Sequence, residues 1–225
     1  MTRFNKQELT QQATNIRTSI KKGKGLPSHI TIKDMEGKIR TLKKTEYLGI
    51  YQQRNIFTLR NGREPNYVTL NSKCGTLPIA QNYQDNGYTC CPTSLSMATM
   101  CLFGYKSEKK CAEVLGTVYG SGTSPSDLTM NAPKLGYTAN PIPRNYQAVL
   151  KSLQHGKPVI AHIQTRPATC LGYHGDYGHY VLIYWCKNNQ YYIADPTKGQ
   201  IKCKSTILDK ATNGRNIKYY SIGIL

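Results

Sequence analysis

Apolar positions change their period along this chain, and the changes divide it. Near the start, Leu9, Ala13, Ile16 and Ile20 recur at helical spacing, followed by a glycine-bearing turn and the short run "LPSHITIK". A second run, "EPNYVTLN", aligns with it at an offset of 38, setting Pro65 on Pro27, Val68 on Ile30 and Leu70 on Ile32, with Glu46 on Glu8 upstream. The pattern predicts two degenerate repeats, each a helix, a turn and a short strand, the second helix lying around Tyr47 to Leu59 with less regular spacing. "CGTLPIA" then carries Gly75 and Pro78, which break any regular element. This predicts a repeat module over 1–74, a linker over 75–80 and a second domain over 81–225.

The second domain has a different texture. Pro92 to Phe103 places Leu95, Ala98 and Leu102 on one helical face, with Pro92 suited to a first turn. Further helices are predicted near Ser107 to Leu115, after Ser124 with Pro125 in the first turn, and from Asn145 to Gln154. Apolar runs of strand length follow: "PVIAHIQ", "HYVLIYW", "QYYIADP" and "YYSIGIL", the middle two meeting at Asn188 and Asn189, a hairpin-turn composition. Helices first and antiparallel strands second predict an α+β domain.

Charge adds a partner to this picture. The 225 residues carry a formal net charge of +18, of which the first 75 residues hold +10. Such a surface is drawn to polyanions in a salt-dependent way, whether nucleic acid, acidic lipid or an acidic wall polymer, and it also serves solubility. No run of 18 apolar residues occurs, so no membrane helix is expected. The opening "MTRFNKQELTQQ" lacks the apolar core of a signal peptide, which predicts synthesis and retention in a cytoplasm unless something releases the protein. In that setting the eight cysteines are expected as free thiols, and the absence of any CxxC pair argues against structural zinc.

The candidate chemistry centres on "NYQDNGYTCCPTSLSM", Asn82 to Met97. A cysteine at a helix N-terminus sits against the positive end of the helix dipole, which favours thiolate, and both Cys90 and Cys91 are near enough to benefit. A thiolate needs a base, best a histidine pinned by a carboxylate. His179 opens one strand of the expected hairpin and Asp195 closes the other, so antiparallel register alone would bring them together. His29 and His155 read as solvated, and His162, inside an apolar strand, as a satisfied core histidine. His174, in "GYHGDYGHY", rivals His179, and with Asp176 it also fits a metal-binding or substrate loop. Asp195 before Pro196 equally suits a turn. Gln84, six positions before Cys90, is placed to join the Cys90 backbone N–H in holding an oxyanion.

Together "Q-x5-C", "CPTSLSM", "GTSPSDL", "GKPVIAHI", "GHYVLIYW" and "YIADPTKG" resemble the papain-like cysteine peptidases of the bacteriocin-processing type across nearly all of Ala80 to Leu225. The resemblance implies Cys90 as nucleophile, His179 as base, Asp195 as orienting acid and Gln84 as oxyanion donor. Where that family has Cys-Gly-Pro, this chain has Cys91 in place of the glycine, which keeps Cys91 in view as an alternative nucleophile or as a redox partner of Cys90.

"NKQEL…LPSHITI" and "REPNYVTL" resemble pseudomurein-binding repeats, and their fusion to such a peptidase resembles the pseudomurein endoisopeptidases of methanogen viruses and proviruses. That resemblance implies cleavage of the alanine to lysine ε-amine cross-link of the archaeal wall. It also implies synthesis in the host cytoplasm with action on the wall during lysis, a monomer, and an acidic polymer as partner of the basic front third. No cofactor is required for the chemistry; a divalent cation such as Ca2+ is implied as a helper, with Asp176 and Asp85 as candidates but no ligand cluster in the sequence to locate it. Three other classes remain open: a transglutaminase-like acyltransferase sharing the triad, a wall-binding protein without activity, and a nucleic-acid binder, for which the 17 tyrosines show no recognisable pattern.

Overall fold

Asn5 Oδ1 accepts the amide of Glu8 at 2.9 Å and so caps helix α1 (Lys6–Lys21), which buries Leu9, Ala13, Ile16 and Ile20 at the spacing of the sequence. The computed structural model describes residues 1–71, 73–212 and 217–225. Within the first 71, strand, helix and strand occur twice in the same order: β1 (Arg3–Asn5), α1 and β2 (His29–Lys33), then β3 (Ile39–Lys43), α2 (Lys44–Asn61) and β4 (Tyr67–Thr69). The second helix begins earlier than its apolar spacing suggested, because the Glu46 carboxylate accepts the Lys43 amide at 2.8 Å and starts the turn there. It stops at Gly62, whose φ of +65° is free to glycine. The sheets are exchanged between the halves: β1 pairs with β4 and β2 with β3, both antiparallel. Each half therefore completes its hydrogen bonding only with strands of the other.

Residues 75–80 carry no regular element, yet Leu77, Ile79 and Ala80 are buried, so the connector is packed into the protein. The helix-bearing front also contributes directly to the rest. Asn55 Nδ2 donates to the carbonyls of Pro78 and Met100 at 2.6 and 3.2 Å, and Tyr51 meets Phe103 edge to face at 4.8 Å. Arg17 donates to the Leu102 carbonyl and the Tyr137 hydroxyl at 3.0 and 3.2 Å. A contiguous apolar core runs through both parts.

Beyond the connector come α3 (Cys90–Cys101), α4 (Glu108–Leu115), α5 (Pro125–Asn131), β5 (Tyr137–Pro143), α6 (Tyr146–Gln154), β6 (Val159–Gln164), β7 (Gly178–Lys187), β8 (Gln190–Asp195), β9 (Gly199–Lys204), α7 (Ser205–Lys210) and β10 (Lys218–Ile224). Side-chain caps from Ser107, Ser124 and Asn145 start α4, α5 and α6 where the sequence placed them. The six strands form one antiparallel sheet in the order β5-β10-β6-β7-β8-β9, against which α3 packs over β7 and β6. This is the α+β arrangement expected. β5 and β9 were not among the strands expected from the apolar runs; β9, at the sheet edge, alternates exposed Gln200, Lys202 and Lys204 with buried Gly199 and Cys203 and half-buried Ile201. The β7–β8 hairpin turns at Asn188 and Asn189, whose φ angles of +51° and +57° match a two-residue turn with both central residues left-handed. Among the described residues no helix is long and apolar enough to cross a membrane.

Candidate active site

Two loops and one hairpin converge at the start of α3. Cys90 is the first residue of that helix, two positions ahead of the sequence expectation, and it is partly exposed. As an opening residue its amide has no intrahelical acceptor. Cys91, Pro92 and the rest of α3 are buried. Burial pushes the Cys91 thiol well above the ordinary cysteine range, with the neighbouring Cys90 adding to the shift. Fully enclosed and held as a thiol, Cys91 is poorly suited to attack a substrate.

The hairpin register carries the other half. Leu182 pairs with Ala194 and Ile183 with Ile193, so His179 and Asp195 fall near one end of the ribbon. His179 Nε2 and Asp195 Oδ1 lie 3.1 Å apart, with only 3% and 0% of the residues exposed. Burial opposes charge on the ring. The Asp195 hydrogen bond and the negative charge of Asp195 and of the neighbouring Cys90 outweigh it and raise His179 to about 9. Since Asp195 occupies Nε2, Nδ1 is the ring nitrogen left for the thiol.

Asp195 is itself heavily held. Burial raises its carboxyl, but the hydrogen bond and charge of His179, the Thr197 amide and the Tyr173 hydroxyl leave it below the usual carboxylate value. Oδ1 accepts the amides of Thr197 and Lys198 at 2.7 and 3.2 Å, so Asp195 also builds the turn that the Asp-Pro pair suggested. Tyr173 was absent from the sequence reading. Its hydroxyl donates to both carboxylate oxygens at 2.8 and 3.0 Å and stands 3.2 Å from His179 Nε2. Burial above all pushes this phenol up, so it remains a donor. The one cue was its place in "GYHGDYGHY", where attention fell on the histidines.

Gln84 lies on the loop before α3, and its amide N–H donates to the Pro196 carbonyl at 2.9 Å. Gln81 Nε2 donates to the Asp195 carbonyl at 2.9 Å. The loop leading to Cys90 is thereby stitched to the turn after Asp195. Gln84 Nε2 donates to Asn86 O at 2.8 Å, leaving its second N–H for another acceptor.

Other readings separate here. His174 is exposed on the loop before β7, His29 contacts its neighbour Ser28, and His155 caps its own helix at Lys151 O. His162 is not a satisfied core histidine: it is partly exposed, its Nδ1 has no partner among the described residues, and its ring stacks on Tyr180 at 4.1 Å. Asp176 Oδ1 accepts from Gln164 Nε2, while Asp85 sits on the loop before α3 with its amide on Glu108. Among the described residues no group of three or more His, Cys, Asp or Glu is placed to hold a metal ion, and no step is routed through one. Not all thiols are free: Cys170 and Cys203 form a disulfide between the turn at 169–171 and β9. Compartment reasoning could not see that the fold sets their Cα atoms 5.5 Å apart.

A cleft of about 610 Å3 opens beside Cys90, walled by β6, β7 and the glycine-rich segment before α5. A cysteine, a buried histidine–aspartate pair and an adjoining cleft on a helix-plus-antiparallel-sheet frame define a papain-like cysteine peptidase. The Peptidase C39 family model matches residues 79–215, and the chain belongs to that family. Among solved structures it is similar to the peptidase domain of Streptococcus ComA, at 18% identity and a TM-score of 0.50, covering 64% of this chain and 98% of that one. It is also similar to a C39-like peptidase from Bacillus anthracis, at 18% identity and a TM-score of 0.49, covering 64% and 94%. No curated protein matches.

Proposed function

We propose that this peptidase is a pseudomurein endoisopeptidase, with Cys90 as nucleophile, His179 as base, Asp195 as orienting acid and Gln84 with the Cys90 amide as oxyanion donors. The observation that carries the catalytic part is the buried His179–Asp195 pair, Nε2 to Oδ1 at 3.1 Å, on a ring whose raised pKa also draws on the neighbouring Cys90. His179 takes the thiol proton as Cys90 Sγ bonds to the alanine carbonyl carbon, and the oxygen, now an anion, is held by the Cys90 N–H and Gln84 Nε2–H. Collapse breaks the C–N bond while His179 gives its proton to the leaving lysine amine. Water then attacks the thioester, losing its proton to His179, and the acid departs from Cys90. Asp195 holds the ring in the tautomer this requires.

The substrate reading rests on the resemblance of the front repeats and on charge. A module of net +10 beside the peptidase suits a wall polymer rich in carboxylates. The reading places a monomer at the wall once lysis exposes it. Peptide release from purified pseudomurein and from bacterial peptidoglycan, under reducing conditions, tests it with Cys90→Ala and Cys91→Ala beside the wild type. Release from pseudomurein alone, lost in Cys90→Ala and kept in Cys91→Ala, supports both substrate and nucleophile. Release that survives Cys90→Ala overturns the nucleophile, and crosslinked product on adding a primary amine turns the reading to an acyltransferase.

A further inference from the structure

The cleft beside Cys90 is lined by residues whose polar atoms the proposed chemistry does not use. Tyr180 is only 3% exposed, and its hydroxyl has no hydrogen-bond partner among the described residues. A buried hydroxyl left unpaired is destabilising, so it calls for an explanation. His162 Nδ1, on the ring stacked against Tyr180, is buried and unpartnered too. Both residues line the cleft together with Cys90 and Asp127.

Asp127 is the only carboxylate in that lining, and no lysine or arginine is among the lining residues. In a chain of net +18 this hollow has the opposite sign to the molecule as a whole. Asp127 Oδ2 accepts from the Ser124 amide and hydroxyl at the start of α5, whereas Oδ1 has no hydrogen bond among the described residues. Tyr180 lies within reach of the charges of both Asp127 and Cys90. Burial, with Arg144 and His179 nearby, lowers His162 to about 4, so its ring adds no positive charge at neutral pH. Close approach is built into the wall: a Cβ at Gly178 would stand 2.9 Å from His162 Nε2, and Gly122 holds a φ of +81°.

We infer that Asp127, Tyr180 and His162 form a specificity subsite beside Cys90 that takes a primary ammonium group of the substrate. An ammonium carries three donors, and the subsite offers three acceptors: Asp127 Oδ1, the Tyr180 hydroxyl oxygen and His162 Nδ1 in its Nε2–H tautomer. A neutral amide or hydroxyl would leave the carboxylate without its charge partner. The inference deepens the proposed function and rests on Cys90 being the reactive thiol. It commits the substrate to a free amine near the bond that is cut.

The test needs no wall substrate. The full-length protein is treated with 2-aminoethyl methanethiosulfonate, a cation, and with neutral methyl methanethiosulfonate, and modification of Cys90 is timed by peptide mass. Relative to a free cysteine peptide, the wild type is expected to favour the cation by about tenfold, the effect of about 1.4 kcal/mol. Asp127→Asn, whose amide oxygen can still cap Ser124, is expected to bring the ratio within about twofold of the free peptide with the neutral rate unchanged. Tyr180→Phe keeps the ring stack and is expected to lower the ratio about threefold. A ratio unchanged in Asp127→Asn overturns the subsite. If that variant does not fold, an unchanged ratio in Tyr180→Phe overturns it instead. A Cys90 inert to both reagents removes the nucleophile and the subsite with it, whereas failure to release peptide from pseudomurein leaves these ratios standing.

Discussion

His179 and Asp195 meet across the β7–β8 hairpin with Nε2 and Oδ1 3.1 Å apart, and almost no solvent reaches either. Their bond leaves the opposite ring nitrogen, Nδ1, for the Cys90 thiol in the proposed chemistry. Asp195→Asn keeps the shape but removes the charge and favours the wrong tautomer, so kcat is expected to fall by about 10²- to 10⁴-fold with KM little changed. Steady-state kinetics on any cleaved substrate check this, and full kcat in the variant would remove Asp195 from the machinery.

The same pair sets a pH dependence of stability. His179 is raised from 6.5 to about 9, so its contribution is present in full below 6.5 and is lost as pH climbs through about 9. Asp195 is lowered from 3.8, so its contribution holds above 3.8 and is lost in acid. Denaturant midpoints are expected to fall from pH 6.5 toward 9 as the His179 contribution is lost, and also toward pH 4, where His162, lowered to about 4 by burial, resists its proton in the fold. In His179→Gln the fall between pH 6.5 and 9 should be smaller, while the buried Cys91, Cys101 and Cys111 thiols, all raised by burial, still give a fall above 9; a wild-type midpoint that rises from pH 7 to 10 would contradict the assignment.

Tyr173 ties the two partners together through one hydroxyl. Tyr173→Phe keeps the ring and loses the donor, which at about 1 kcal/mol corresponds to a fall in kcat of roughly fivefold. The alkaline limb of the kcat profile, read beside it, should also move. A variant of unchanged rate and profile would make the hydroxyl purely structural.

The two adjacent thiols predict opposite outcomes. Iodoacetamide on the native protein should label Cys90, and Cys91 only after unfolding, because Cys91 is fully enclosed. Cys91→Ala should retain activity while losing about 1 kcal/mol of stability from the buried sulfur. Native labelling at Cys91 would reverse the assignment.

The Cys170–Cys203 bridge closes 33 positions of chain, and the loop that carries Tyr173 follows it directly. By chain entropy such a closure contributes about 3 to 4 kcal/mol. Melting with and without dithiothreitol should show the loss, and Cys203→Ser should melt like the reduced protein. Equal melting in all three would mean the bridge contributes nothing to stability.

Asn55 on α2 donates to Pro78 and Met100 carbonyls across the packed connector. Asn55→Ala leaves both acceptors without this donor, at a cost of about 1 to 3 kcal/mol each if they stay buried. A single cooperative transition shifted down in temperature is expected. Separate melting of the front module would show that the two parts fold independently.

Much of this organisation was legible along the chain, because it depends on neighbours within a turn or a strand. Leu9, Ala13, Ile16 and Ile20 show their helix by spacing alone, Ser124 and Pro125 start α5 locally, and two asparagines suffice for the hairpin. The facing of His179 and Asp195 followed from that hairpin's register. Other features depend on groups far apart in sequence. The exchange of strands between β1 and β4 and between β2 and β3, the Cys170–Cys203 bridge, and the hydroxyl of Tyr173 reaching Asp195 arise only when the sheet closes. So does the cleft that gathers Asp127, His162 and Tyr180 around Cys90, for a side chain's solvent and partners are properties of packing, which no local pattern encodes.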